Sequence, residues 1–163
     1  MHYIDIFRKF NENKVKYFVI GGLAVNFHGL PRFTYDIDIL IEMEDENIKR
    51  LIDLLTKWGY KPKVPVNPYD FAIKEIRDSW INDKNMKAFN FYNDKAIISE
   101  IDIIIESPVS YKDGIKNAVI FDAEGIAIPV ISLGDLVKMK RKANRDIDLY
   151  DIKHLGGNYN AGV

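Results

Sequence analysis

The sequence predicts an α/β (α+β) fold: one mixed β-sheet flanked by helices. Three observations predict it. The segment YDIDILIE, Tyr35 to Glu42, alternates polar and apolar residues with period two, as a strand with one buried face does. The segment from Asp45 to Trp58 carries its apolar residues at helical spacing and is closed by Gly59. Strand and helix patterns of these two kinds then intermingle along the chain instead of segregating.

The elements follow in order. Tyr3, Ile6, Phe7 and Phe10 share one face of an opening helix, and Asn11 to Lys14 form a turn. Val15 to Ile20 is apolar and β-rich, a buried strand ending at Gly21-Gly22. Leu23 to Phe27 reads as a short helix stopped by Gly29 and Pro31. After the strand at Tyr35 to Glu42 and the helix at Asp45 to Trp58, Val64 to Pro68 is a proline-punctuated loop. Asp70 to Ile81 fits a helix with Phe71, Ile76 and Trp80 near one face. Lys87 to Tyr92 and Ala96 to Ile105 read as strands joined at Asn93-Asp94, and Val119 to Phe121 and Ile126 to Val130 as a hairpin around Glu124-Gly125. Ser132 suits the N-cap of a helix running to Lys142, and Ile147 to Leu155 is the last helix.

Composition narrows the function classes. A length of 163 residues corresponds to one domain, expected over 1–155, with GGNYNAGV at 156–163 expected to fray as a tail. Lys and Arg number 23 against 24 Asp and Glu, a net charge of −1, which gives no bulk attraction to nucleic acid or anionic lipid. The absence of cysteine excludes disulfides, thiolate zinc sites, iron–sulfur clusters and a cysteine nucleophile, and agrees with a cytoplasmic setting. The most apolar stretch, Tyr17 to Val25, is half the length a bilayer demands, so no membrane association is expected. The start, MHYIDIFRKF, lacks the pattern of a signal peptide.

The chemistry concentrates between Val19 and Glu42. Asp36 and Asp38 lie two apart on a predicted strand, so both carboxylates leave one face while Ile37, Ile39 and Ile41 enter the core. Paired carboxylates repel each other and lose hydration unless something neutralises them. Hard oxygen ligands suit Mg²⁺ or Mn²⁺; the alternative is an exposed face whose acids meet water. Gly21-Gly22 ends an apolar strand and opens a helix, where backbone N–H groups suit a phosphate or simply form a tight turn. No Walker A loop and no G-x-G-x-x-G is present, and no H-E-x-x-H for a zinc hydrolase. In SEIDIIIE, Glu100 and Asp102 share a face of another strand, and either can supply a third carboxylate if that strand neighbours the first. His28 beside Gly29 suits a packing or helix-end role. Phe7, Phe10, Trp58, Trp80, Phe89, Phe91 and Tyr92 suit the core. Lys138 to Lys142 forms a basic cluster on a helix, either a solvated face or a cover over phosphates.

Together these features resemble the nucleotidyltransferase (DNA polymerase β-like) superfamily, and within it the small minimal and AbiEii-type members. Gly21, Gly22, Ala24, His28, Gly29, Arg32, Thr34, Asp36 and Asp38 stand where that family has Gly-Gly, a small apolar residue, His-Gly, Arg, Thr and Asp-apolar-Asp. LVKMKRKANRDIDLYDIKHL resembles the family's closing helices, through Lys140, Arg145, Asp148 and Asp151. The likeness spans Lys16 to Glu42 and Ile98 to Leu155; Val64 to Asn93 is not aligned with it. It implies a nucleotidyltransferase-like fold and transfer of a nucleoside monophosphate from an NTP to an acceptor hydroxyl. In that reading Asp36, Asp38 and Asp102 are catalytic and hold two Mg²⁺ or Mn²⁺ ions, and Asp102 also takes the acceptor's proton. Gly21 and Gly22 cradle phosphate, Lys140 neutralises the triphosphate, and Arg32 and Thr34 face the nucleotide or brace their loop. Arg145, Asp148 and Asp151 also suit helix-surface ion pairs.

The acceptor stays open among antibiotic, tRNA end, protein hydroxyl and small metabolite. A second reading is a nucleotidyltransferase fold used as a binding or regulatory module with a protein partner, as in a toxin–antitoxin pair. A third is an unrelated metal-binding or hydrolytic α/β domain. A homodimer is compatible with each.

Overall fold

A computed structural model of the chain describes residues 1–155; the expected tail at 156–163 lies outside the described residues. The helices are α1 (Tyr3–Glu12), α2 (Gly21–Phe27), α3 (Asp45–Lys57), α4 (Lys74–Asn82), α5 (Tyr111–Asn117), α6 (Leu133–Ala143) and α7 (Asp146–His154). The strands are β1 (Tyr17–Ile20), β2 (Asp36–Ile41), β3 (Lys61–Pro62), β4 (Ala88–Tyr92), β5 (Glu100–Ile104), β6 (Val119–Ala123) and β7 (Ile126–Val130). They form one mixed seven-stranded sheet in the order β3-β4-β5-β2-β1-β7-β6, so the predicted α/β class holds.

The centre of the sheet positions the site. β2 runs antiparallel to β1 and parallel to β5, with Ile20 opposite Asp38, Asp36 opposite Glu100 and Asp38 opposite Asp102. One face of these strands carries Ile37, Ile39, Ile101 and Ile103, all fully buried. It is covered by α1, through Phe7 stacked on Tyr17, and by α3, α4 and the 3₁₀ turn Pro68–Ala72, which brings Phe71 onto Phe89 at 4.7 Å. The opposite face carries Phe18, Leu40 and the carboxylates. α5 covers its far end, where Gly114 lies so close to Phe18 that a Cβ would come within 2.6 Å of the ring. α6 covers the carboxylate end.

Four local readings change. The helix expected from Asp70 to Ile81 is split at Ile73, whose extended backbone separates the 3₁₀ turn begun by Pro68 from α4. The strand expected from Ala96 begins only at Glu100, because the four residues before it return from the Asn93 turn; there Ser99 N–H donates to the Tyr35 carbonyl. Helix α5 was not anticipated, although Ser110 caps it by accepting from Asp113 N–H at 3.1 Å. Tyr92, expected in the core, is exposed near the sheet edge, while Phe7, Phe10, Trp80, Phe89 and Phe91 are buried and Trp58 is half-buried.

Candidate active site

The site is built from the end of β1, the start of β2, the middle of β5, and α6 with α7. On β2 the alternation that buries the isoleucines turns Asp36 and Asp38 to the other face. The parallel pairing of β5 sets Asp102 beside Asp38. Asp36, Asp38 and Asp102 thereby each offer a carboxylate oxygen within 4.8 Å of the others. Glu100, the alternative third acid, pairs instead with Lys63 at 2.6 Å.

Burial pushes the Asp38 carboxyl up to about 7, and the Asp36 and Asp102 charges push in the same direction, against the opposing pull of Arg145 and Lys140. Asp102 is raised as well, first by burial, with Asn90 and Lys63 working against the shift. Its Oδ1 is buried and accepts no hydrogen bond. Oxygen-only donors, like-charge crowding and one orphaned carboxylate oxygen fit a hard divalent cation. Asp36 is steadied by the Thr34 hydroxyl, which donates to its Oδ1.

The two glycines do different things. Helix α2 starts at Gly21 itself, not at Leu23 as the sequence suggested. Gly21 sits at φ +66°, and a Cβ there would strike the Asp38 carboxylate, 2.9 Å from its Cγ. Only glycine satisfies both demands. Gly22 lies beneath the Arg32 guanidinium and the Thr34 hydroxyl, where a Cβ would be in ordinary contact at 3.5 and 3.6 Å. We expect Gly21→Ala to cost about 1–2 kcal/mol of stability from the left-handed backbone alone. By displacing Asp38 it should also weaken Mn²⁺ uptake; thermal unfolding and a Mn²⁺ titration measure the two effects.

A cationic wall faces the acids. A cleft of about 340 Å³ runs between Gly21, Asp36, Asp38 and Asp102 on one side and Lys140 and Arg145 on the other. Lys140 is only 5% exposed and bonds Asp151 at 2.8 Å and Asp148 at 3.3 Å. Arg32 also pairs with Asp151, at 2.5 Å, and Arg145 pairs with Asp148 at 2.7 Å. Asp148 and Asp151 are at most 1% exposed. This corrects the expectation of helix-surface ion pairs: the acids of α7 are its buried face, and Ile147, Leu149 and Tyr150 are exposed. Burial works against the Asp148 charge, yet the Arg145 hydrogen bonds and the Lys140 charge hold its carboxyl below the usual range. In the basic cluster of α6, Lys138, Arg141 and Lys142 are solvated and Lys140 is not. His28 packs edge-on against Phe121, with its Nε2 2.7 Å from the Ile131 carbonyl, so its role is structural.

Comparisons with known proteins bear on this geometry. The profile of the family described as "Nucleotidyl transferase AbiEii toxin, Type IV TA system" matches residues 7–161. No curated protein matches the chain by sequence. Among solved structures, it is similar to the lincosamide antibiotic adenylyltransferase LnuA with lincomycin bound, at TM-score 0.64 and 19% identity over 94% of this chain and 93% of that one. It is also similar to the Thermotoga maritima protein TM1012, assigned as a nucleotidyltransferase, at TM-score 0.57 and 19% identity over 91% and 88%. At such identities the two structures establish a shared fold. Among the described residues, no helix is long and apolar enough to cross a membrane.

Proposed function

Since the chain belongs to the AbiEii family of nucleotidyl transferase toxins, we propose that it transfers a nucleoside monophosphate from an NTP to a hydroxyl of an acceptor, with Mg²⁺ or Mn²⁺ held by Asp36, Asp38 and Asp102. The observation that carries this reading is the meeting of those three carboxylates across a narrow cleft from Lys140 and Arg145. Asp36, Asp38 and Asp102 would hold the cation, which when bound would supply charge neutralisation for the triphosphate and Lewis-acid polarisation of the acceptor hydroxyl. The first-turn N–H groups of Gly21 and Gly22 suit a phosphate. Lys140 and Arg145 set a positive field opposite the acids, and Arg32 and Thr34 brace the loop that leads into β2. In the reaction the acceptor oxygen bonds to the α-phosphorus, the bond from that phosphorus to the bridging oxygen breaks, and pyrophosphate leaves. Asp102, whose carboxyl is already raised, is the group we assign to take the acceptor's proton.

The family's description as a toxin of a type IV system supports a place in a toxin–antitoxin pair, acting in the cytoplasm, where NTPs are available. The test is thermal stability with Mg²⁺ and a non-hydrolysable NTP together. At a hundred times Kd, linkage raises stability by about 2.7 kcal/mol, a shift of several degrees. Wild type should shift and Asp38→Asn should not; equal shifts in both, or none in either, would refute the reading.

A further inference from the structure

Resting on that reading of the carboxylate cleft, we propose that Phe33 and Tyr35 form the acceptor subsite, and that they recognise a flat ring carried next to the reacting hydroxyl. Phe33 is 81% exposed, the most exposed large apolar side chain among the described residues, and Tyr35 is 62% exposed. Their rings meet edge to face at 4.9 Å and 69°. Among the described residues nothing covers them, and they sit within three residues of Asp36.

The pair is held firmly for a surface feature. Between the two rings in sequence, Thr34 turns inward, donates to Asp36 and lies over Gly22. The Tyr35 carbonyl accepts from Ser99 N–H at 3.1 Å, which ties this loop to the start of β5. A tethered backbone therefore presents two aromatic rings to solvent just before β2.

A second cavity explains the presentation. It measures about 350 Å³ and is lined by Phe33, Thr34, Tyr35, Asp36, Ser99 and Glu100. It shares Asp36 with the metal cleft, so the two cavities adjoin at that residue. Their walls differ in charge. The cleft sets Lys140 and Arg145, each bonded to acids of α7, opposite its three carboxylates, and with a cation on those carboxylates it suits a triphosphate. The second cavity has Asp36, Glu100 already paired with Lys63 at 2.6 Å, and two aromatic rings, a lining without a cation for phosphate that favours a flat ring through stacking. Donor and acceptor would thus both reach Asp36, each from its own cavity, the juxtaposition that joining them requires.

The test uses adenosine, which has a flat ring beside hydroxyls and no phosphate, and ribitol, which has hydroxyls and no ring. NMR follows the ring protons of Phe33 and Tyr35 in the metal-free protein and with Mn²⁺-free Mg²⁺ and a non-hydrolysable NTP. Adenosine should shift both rings in either state and ribitol neither. Phe33→Ala and Tyr35→Ala, at exposed positions, should weaken adenosine at least tenfold while leaving the Mg²⁺–NTP thermal shift within about a degree. Absence of any adenosine effect on the rings overturns the proposal, as does a ring shift caused by the NTP that blocks adenosine, which would assign the platform to the donor base. Loss of the Mg²⁺–NTP shift in wild type would instead strike the transferase reading, and the metal-free titration still decides the platform.

Discussion

Asp38→Asn should abolish the proposed transfer and stabilise the metal-free protein. Transfer should fall about a thousandfold, the equivalent of roughly 4 kcal/mol of lost charge stabilisation in the transition state. The stability gain has a separate cause. Asp38 is crowded by Asp36 and Asp102 in a buried setting, and its carboxyl stands at about 7 against an ordinary value of 3.8. The folded state therefore binds this proton more tightly than the unfolded chain does. The stability it lends is complete below pH 4 and is lost as pH rises through 7. Above that, wild type carries a standing penalty that asparagine lacks. The rise from 3.8 to about 7 sets a ceiling of about 4 kcal/mol, and water and salt around a half-buried group reduce it to about 1–2 kcal/mol. Urea unfolding at pH 8 and pH 5 checks this: the variant should be the more stable at pH 8, and the gap should narrow at pH 5. The same proton competes with the cation, so apparent Mn²⁺ affinity should fall by up to tenfold per pH unit below 7.

Asp151→Ala should be the most destabilising substitution in the closing helices. Asp151 lies at 1% exposure between Lys140 on α6 and Arg32 on the loop before β2. Truncation leaves buried Lys140 with Asp148 alone and part-exposed Arg32 without its acid, and an uncompensated buried charge costs up to about 3–5 kcal/mol. For a chain of this size that corresponds to a fall of roughly 10 °C in Tm. The loss would also loosen α7 from α6 and move the cationic wall of the cleft, so the Mg²⁺–NTP shift should shrink with it. A loss below about 1 kcal/mol would mean that the network is hydrated and weak.

Strand β2 was legible because its acidic and apolar residues follow one alternation. Asp36, Ile37, Asp38 and Ile39 alternate, so a single pattern identified both the core face and the acid face. Asp102 was legible as a candidate because SEIDIIIE repeats that pattern, but its pairing with Asp38 depends on register across more than sixty residues of chain, which no local signal carries. The closing helix misled for a physical reason. A helix normally hides its apolar side, and α7 instead buries Asp148 and Asp151 against Lys140, Arg32 and Arg145, with Ile147, Leu149 and Tyr150 outward. Only the positions of the cations in space make that inversion stable. The Ser110–Asp113 cap of α5 was present as a signal, in a segment whose Gly114 argues against a helix until the Phe18 ring is seen to need the space. The role of Gly21 likewise needs the Asp38 carboxylate in place to be recognised.

The claim on which the account depends is that Asp36, Asp38 and Asp102 together bind a divalent cation. Calorimetric titration of Mn²⁺ into the protein at pH 7, with a non-hydrolysable NTP present, tests it most directly. The account predicts saturable uptake with release of protons, abolished in Asp102→Asn. Heats indistinguishable from dilution, or uptake unchanged by that substitution, would contradict it.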